Sequence, residues 1–242
     1  MRIETHLDKL ISQRLIEAND KERENHKSSG KLSASMLGQP LQWQILKTIG
    51  VPPKPFDEYT LRKFKRGKDI ENWFISEISP NFKQPFVEYR STIGYVDLNL
   101  VQDESFDFKL GEMPHEVKSV SNAKFKRITK LKEADRGHRL QATLYALAQN
   151  KDYYAIDYIA SDDLRIETYI YETKDTKDEV DEIITKFQEQ LKLKVVSVFE
   201  PIEKWQANPE YQNYPAWATL TAEECMDKLK SEFPDAYKKL KD

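Results

Sequence analysis

Cysteine occurs once in this chain, at Cys225. A single thiol excludes a disulfide framework and a four-thiolate iron–sulfur cluster within one subunit, and it agrees with a reducing compartment. No apolar stretch reaches the roughly 20 residues that a membrane-spanning helix needs, and Met1-Arg2-Ile3-Glu4 does not open a signal peptide. The expected location is therefore cytoplasmic, with no membrane partner. There is no Cys/His zinc spacing, no glycine-rich phosphate loop and no internal repeat, which sets aside zinc modules, P-loop hydrolases and solenoids. Excess positive charge is lacking too. A net charge of −3 and a pI near 5.9 argue against a general nucleic-acid sponge, although local distribution matters more than the sum.

With 242 residues the chain can build one sizeable core and is too short for two ordinary domains. Residues 1–19 have the pattern of an amphipathic helix, able to pack on the core, on another subunit as a homo-oligomer, or on a protein partner. Asp20 to Lys31 is almost wholly polar and reads as a linker. Residues 1–32 thus form an N-terminal helix and linker, and residues 33–242 one domain with a C-terminal helical extension. Phe86 to Val101 reads as two strands around a turn near Ser91-Thr92. Further strands are expected near Tyr153 to Ala160 and Arg165 to Tyr171, and helices from Arg66 to about Ser79, from His138 to Gln149 and near Lys177 to Leu193. The fold class is α/β, a central mixed sheet flanked by helices.

Within that frame the most informative triplet is Glu116-Val117-Lys118. On a strand, Glu116 and Lys118 share one face while Val117 packs on the other, so a hard-metal ligand and a fixed positive charge project together. Phosphodiester cleavage requires that combination. The triplet alone is common in a chain that is 33% charged, and Glu172-Thr173-Lys174 repeats it. Context separates the two, because only Glu116 follows a Gly94-x-x-Asp97 hairpin. In that hairpin Val96, Leu98 and Leu100 alternate with Tyr95, Asp97 and Asn99, which places Asp97 mid-strand, off the apolar face. An acid there is a metal ligand or a surface-facing group on an edge strand. Glu71 falls between Phe74, Ile75 and Ile78 on its helix, turned toward the core; a salt bridge to Lys68 or Arg66 is the plainer alternative to a metal. Clustered acids repel one another until a divalent cation arrives.

Gln141 and Tyr145, four apart, flank the Leu140, Leu144 and Leu147 stripe together with His138, and can line a cleft. There the glutamine amide would hold the lysine or a phosphate, and the tyrosine would border the substrate. Gln149 and Tyr153 repeat the spacing across a turn at Asn150-Lys151-Asp152 and do not share a helical face. Two basic stretches flank these residues, Arg62 to Lys68 with Arg66 and Lys68, and a second with Lys124, Lys126, Arg127 and Arg139. Each is either a solvated face or a phosphate-contacting surface. Phe125, between two lysines, either stacks on a base or packs inward.

Together, Arg66-Gly67…Glu71, Gly94-x-x-Asp97, Glu116-x-Lys118 and Gln141-x-x-x-Tyr145 resemble the PD-(D/E)xK nuclease superfamily, in particular its RecB-like exonuclease branch of phage and CRISPR-associated type. The resemblance spans about Ser33 to Trp217 and implies a restriction-endonuclease-like core. It also implies metal ligands at Glu71, Asp97, Glu116 and the Val117 carbonyl, a catalytic Lys118, and a helix motif at Gln141 and Tyr145. The implied cofactor is Mg²⁺ or Mn²⁺ and the implied partner is DNA. The implied activity is exonucleolytic cleavage of linear or single-stranded DNA in a bacterium or phage-infected host. The alternatives are a structure-directed endonuclease on the same chemistry and a catalytically silent nuclease-fold DNA-binding subunit. Two departures stand out. Many members of the branch carry histidine where Glu71 stands. Iron–sulfur members place cysteines in the regions that here read Gly38 to Gln42 and Asn208 to Trp217, so no iron–sulfur cluster is expected. Tyr211, Tyr214 and Trp217 are expected to hold the C-terminal segment by aromatic packing instead.

Overall fold

A computed structural model describes residues 6–25, 28–78, 84–101 and 112–242. Helix α1 (His6–Asn25) leads into a short strand β1 (Leu32–Ser33), helix α2 (Leu41–Ile49) and helix α3 (Glu58–Ile78). Strands β2 (Phe86–Tyr89), β3 (Thr92–Tyr95), β4 (Leu98–Val101) and β5 (Glu112–Val120) follow. Helices α4 (Asn122–Leu131) and α5 (Arg136–Ala148) then cross to β6 (Tyr153–Ala160) and β7 (Ile166–Glu172). The chain ends with α6 (Lys174–Leu193), three short 3₁₀ turns, α7 (Ala222–Glu232) and α8 (Pro234–Lys241).

Tyr154 to Ala160 is an unbroken run of buried residues, as a strand covered on both faces requires. It forms an inner strand of a four-stranded sheet ordered β4-β5-β6-β7, in which β5 and β6 are parallel and the two outer pairs antiparallel. Helices α4 and α5 cover one face, where Phe125, Ile128, Ala142 and Ala146 meet Val120, Tyr154, Ile156 and Tyr158. Phe74 of α3 covers part of the other, against Leu98, Val117 and Ile159. A smaller sheet, ordered β1-β3-β2, lies beside α5. The largest apolar cluster joins Leu140, Leu144 and Tyr145 of α5 to residues of α2, α6, α7 and α8, so the C-terminal helices share the main core. The result is the expected mixed α/β arrangement with helices flanking the sheet.

Three expectations need correction. Residues 20–25 continue α1 rather than forming a linker; they contain no Gly or Pro, and Arg23 donates to the Pro53 carbonyl at 3.2 Å. Residues 1–5, 26–27 and Ser79 lie outside the described residues. Helix α1 packs along α3, where Arg62 donates to Asp8 and Ser12, each at 2.8 Å. The hairpin turns at Arg90-Ser91, and its second arm breaks at Val96-Asp97, so that β3 and β4 belong to different sheets. Asp97 is therefore at a kink and not mid-strand. Tyr214 and Trp217 are buried as expected, Tyr214 beside Trp43, but Tyr211 stays exposed. Gln42 donates to the Trp217 carbonyl at 3.2 Å and to the Cys225 thiol at 3.7 Å, which ties the two chain regions together.

Candidate active site and its cleft

Strand β5 directs Glu116 and Lys118 toward α5 and Val117 toward α3, as side-chain alternation dictates. Glu116 is wholly buried at 0% exposure. Its Oε1 is paired with the Lys118 ammonium, while Oε2 has no hydrogen-bond partner. Burial pushes the Glu116 carboxyl up to about 8, against the pull of the Lys118 ammonium and with help from Asp97 and Glu71. Burial likewise raises Asp97 to about 6, again opposed by Lys118 and aided by Glu71. Burial works against the charge on Lys118, but the Glu116 and Asp97 carboxylates hold its ammonium above the ordinary value. The bend at Asp97 has a definite consequence: its Oδ2 accepts the Val117 N–H at 2.8 Å, which fixes the acid beside the active strand.

Glu71 reaches this group from α3, held by Lys68 at 2.9 Å and by a long contact from Gln84 at 3.4 Å. The salt bridge weighed for it is therefore present, and the same carboxylate still raises Asp97 and Glu116. Among the described residues no three His, Cys, Asp or Glu side chains form a closed ligand set. What stands here is a group of neighbouring acids neutralised in part by two lysines. The second Glu-x-Lys triplet has Glu172 and Lys174 ion-paired at the exposed surface, with no such surroundings.

Gln141 donates to the Tyr145 hydroxyl at 2.7 Å, so its amide nitrogen is committed to its own helix and not to Lys118. Tyr145 is buried; it backs the acidic group and does not border solvent. Burial first, then the Glu116 carboxylate, keeps its phenol protonated. Gly94 explains itself here. A Cβ at that position would stand 2.7 Å from Tyr145 Cε1 and 2.9 Å from Ala34 Cβ, closer than atoms can approach, so the Gly-x-x-Asp hairpin can meet the Gln-x-x-x-Tyr helix only through a glycine.

A cleft of 920 Å³ opens beside Lys118 and Gln141, with Lys124, Arg127 and His138 among its walls. Lys124 and Arg127 both reach Asp135, at 2.5 and 2.8 Å, one carboxylate for two cations. His138 Nδ1 meets the Tyr158 hydroxyl at 2.8 Å, and that oxygen already accepts the Asp135 N–H at 2.9 Å. Burial and the neighbouring lysines hold the imidazole down at about 3, so His138 is a neutral group. Lys126 is exposed on α4. Arg66 lines a separate groove between α1 and α3 with Ile11, Leu15 and Trp73. Arg139 lies over the Tyr171 ring at 4.7 Å. Phe125 packs inward beneath the Arg165 guanidinium, which settles its two readings in favour of packing. Arg136, a member of the second basic stretch, also lines the cleft, as do Trp205, Ser35 and Gln39, to which the sequence assigned no role there. Among the latter only Trp205 carried a signal, a lone aromatic in the polar run Glu203-Lys204-Trp205-Gln206.

No protein-family model matches the chain, and no curated protein matches it. Solved structures with a similar arrangement include an alkaline exonuclease (LHK-Exo) from Laribacter hongkongensis, with TM-score 0.49 and 12% identity over 75% of this chain and 93% of that one. LHK-Exo in complex with dAMP gives TM-score 0.46 and 13% identity over 68% and 89% of the two chains. SSO0001 gives TM-score 0.44 and 12% identity over 75% and 86%.

Proposed function

We propose that this protein is a divalent-metal-dependent deoxyribonuclease of the PD-(D/E)xK type, an exonuclease acting on linear or single-stranded DNA. The observation that carries the reading is Glu116. A wholly buried carboxylate with one oxygen on Lys118 and the other without a hydrogen bond, beside Asp97 and Glu71, is an all-oxygen donor group suited to a hard divalent cation. Glu116 and Asp97 would hold Mg²⁺ or Mn²⁺, with Glu71 completing the set directly or through water and the Val117 carbonyl as a further ligand. When bound, the cation supplies Lewis-acid activation of phosphate and water.

The chain's own residues do the rest. Asp97 stays aligned because it accepts the Val117 N–H. Lys118, kept protonated by the adjoining acids, offers a fixed positive charge to the phosphate as negative charge develops. Tyr145 and Gln141 support the wall behind Glu116. Lys124, Arg127 and the neutral His138 face the cleft through which a strand would approach.

The test is cleavage by purified protein. Linear DNA should be degraded with Mn²⁺ while covalently closed circles are spared. Lys118→Ala should lower the rate by about 10²–10³ while circular dichroism shows the protein still folded. Rapid nicking of circles would move the assignment to an endonuclease, and inertness on every DNA form with either metal would overturn the enzymatic reading.

A further inference from the structure

The cleft carries an aromatic group with no structural task. Trp205 is 47% exposed and lines the same 920 Å³ space as Lys118, Lys124 and Arg127. Among the described residues no ring stacks on its indole and no cation sits over it. Phe64 meets Phe56 edge-on, Phe86 meets Tyr95, and Lys63 sits over Tyr59; among the described residues exposed Tyr211 and Trp73 have no such partner either, but neither lines this cleft. An indole left in water forgoes a large apolar burial that the core could have used.

The backbone beneath it is held from both sides. Trp205 sits in the 3₁₀ turn Lys204–Ala207, closed by a capping box in which the Gln206 side chain accepts the Glu203 N–H at 2.9 Å. Gln206 is fully buried, also accepts the Ile202 N–H at 2.8 Å, and donates to the Gly38 carbonyl at 3.3 Å. That last bond anchors the turn to the floor of the cleft, where Gly38 lies so close to α5 that a Cβ would stand 2.8 Å from Gly137 Cα. The ring is thus presented by a fixed support, and little ordering is left to be lost when a flat partner lands on it.

We propose that Trp205 is a stacking platform for an unpaired or terminal nucleobase, which makes the substrate class of this cleft a single strand or a strand end rather than the interior of a duplex. The proposal rests on the nuclease reading and deepens it. Inside a duplex both faces of a base are covered by its neighbours, so an indole can stack only on a base that has left the stack or on the terminal one. Lys124 and Arg127 would meet the backbone of the same strand, the pairing of cations with an aromatic that sequence-tolerant strand binding uses.

Binding of a labelled phosphorothioate oligothymidylate, which resists cleavage, is measured beside an abasic strand of equal length. Trp205→Ala should weaken oligothymidylate binding by about tenfold and leave abasic binding and its salt dependence unchanged. Trp205→Phe, which keeps a ring, should fall between. Equal oligothymidylate binding by parent and Trp205→Ala, or an equal loss on both strands, would overturn the stacking role alone. Failure of the parent protein to bind any strand would overturn it together with the nuclease reading.

Discussion

Glu116 holds a proton at neutral pH, and Asp97 holds one up to about pH 6, that an unfolded chain would already have released. Their carboxyls stand at about 8 and about 6, against ordinary values of 4.5 and 3.8, because burial disfavours the charged forms. Between the ordinary and the raised values the folded state binds more protons than the unfolded one, so their contribution to stability is present at low pH and is lost as pH rises through that window. Lys118 is shifted upward from 10.5, so its contribution persists below that value and does not offset the trend. The metal-free protein should therefore melt at falling temperature from about pH 5 to about pH 8.5, while the increment from added Mn²⁺ grows, since cation binding requires deprotonated acids. Thermal melts across that range with and without Mn²⁺ check this. An Mn²⁺ increment that is the same at every pH would contradict it.

Helix α5 is the element that makes the site. Its N-terminal turn places His138 in the cleft, its middle places Gln141 beside Lys118, and Tyr145 one turn later meets Gly94 of β3. The contact between α5 and the hairpin therefore sets where Asp97 stands relative to Glu116. Gly94→Ala should force Tyr145 or β3 aside and lower stability by about 1–3 kcal/mol, the ordinary result of overpacking, with a loss of cleavage that follows the displaced Asp97. Gly67→Ala is the matched control. Gly67 lies in α3 with open space around its Cα, and replacing a helical glycine by alanine should leave stability unchanged or raise it by about 0.5–1 kcal/mol. Urea unfolding of the two variants separates them.

Over the whole molecule the net charge of −3 opposes a polyanion, and the acidic group would repel it further. On the proposed reading, affinity for a strand would come from the cleft wall. Lys124 and Arg127 share Asp135, so the pair retains about one uncompensated positive charge before DNA arrives. Replacing both by alanine should weaken strand binding and reduce the log–log salt slope by roughly one to two. Arg66→Ala should leave the slope as it was, because Arg66 faces the groove beside α1. Anisotropy titrations over a salt series measure both. An unchanged slope for the double variant would return the α4 cations to a purely surface role.

Much of this was legible in one dimension because it depends on neighbours in the chain. Strand alternation places Glu116 and Lys118 on one face and Val117 on the other, and helical spacing brings Gln141 to Tyr145. The run Tyr153 to Ala160 reads as a strand, and tertiary packing buries it from Tyr154 onward. Other features depend on what packs against what, and sequence is silent there. Residues 20–25 read as linker because their polarity resembles that of a loop, but they continue α1, where Arg23 bonds the distant Pro53 carbonyl. The break at Asp97 arises because β3 and β4 join different sheets, a separation that local pattern does not encode. Phe125 and Trp205 are both aromatics in charged surroundings. One is buried and the other exposed, since a long-range partner exists for the first, the core beneath α4, and the hydrophobic effect acts only where tertiary packing supplies a surface to cover.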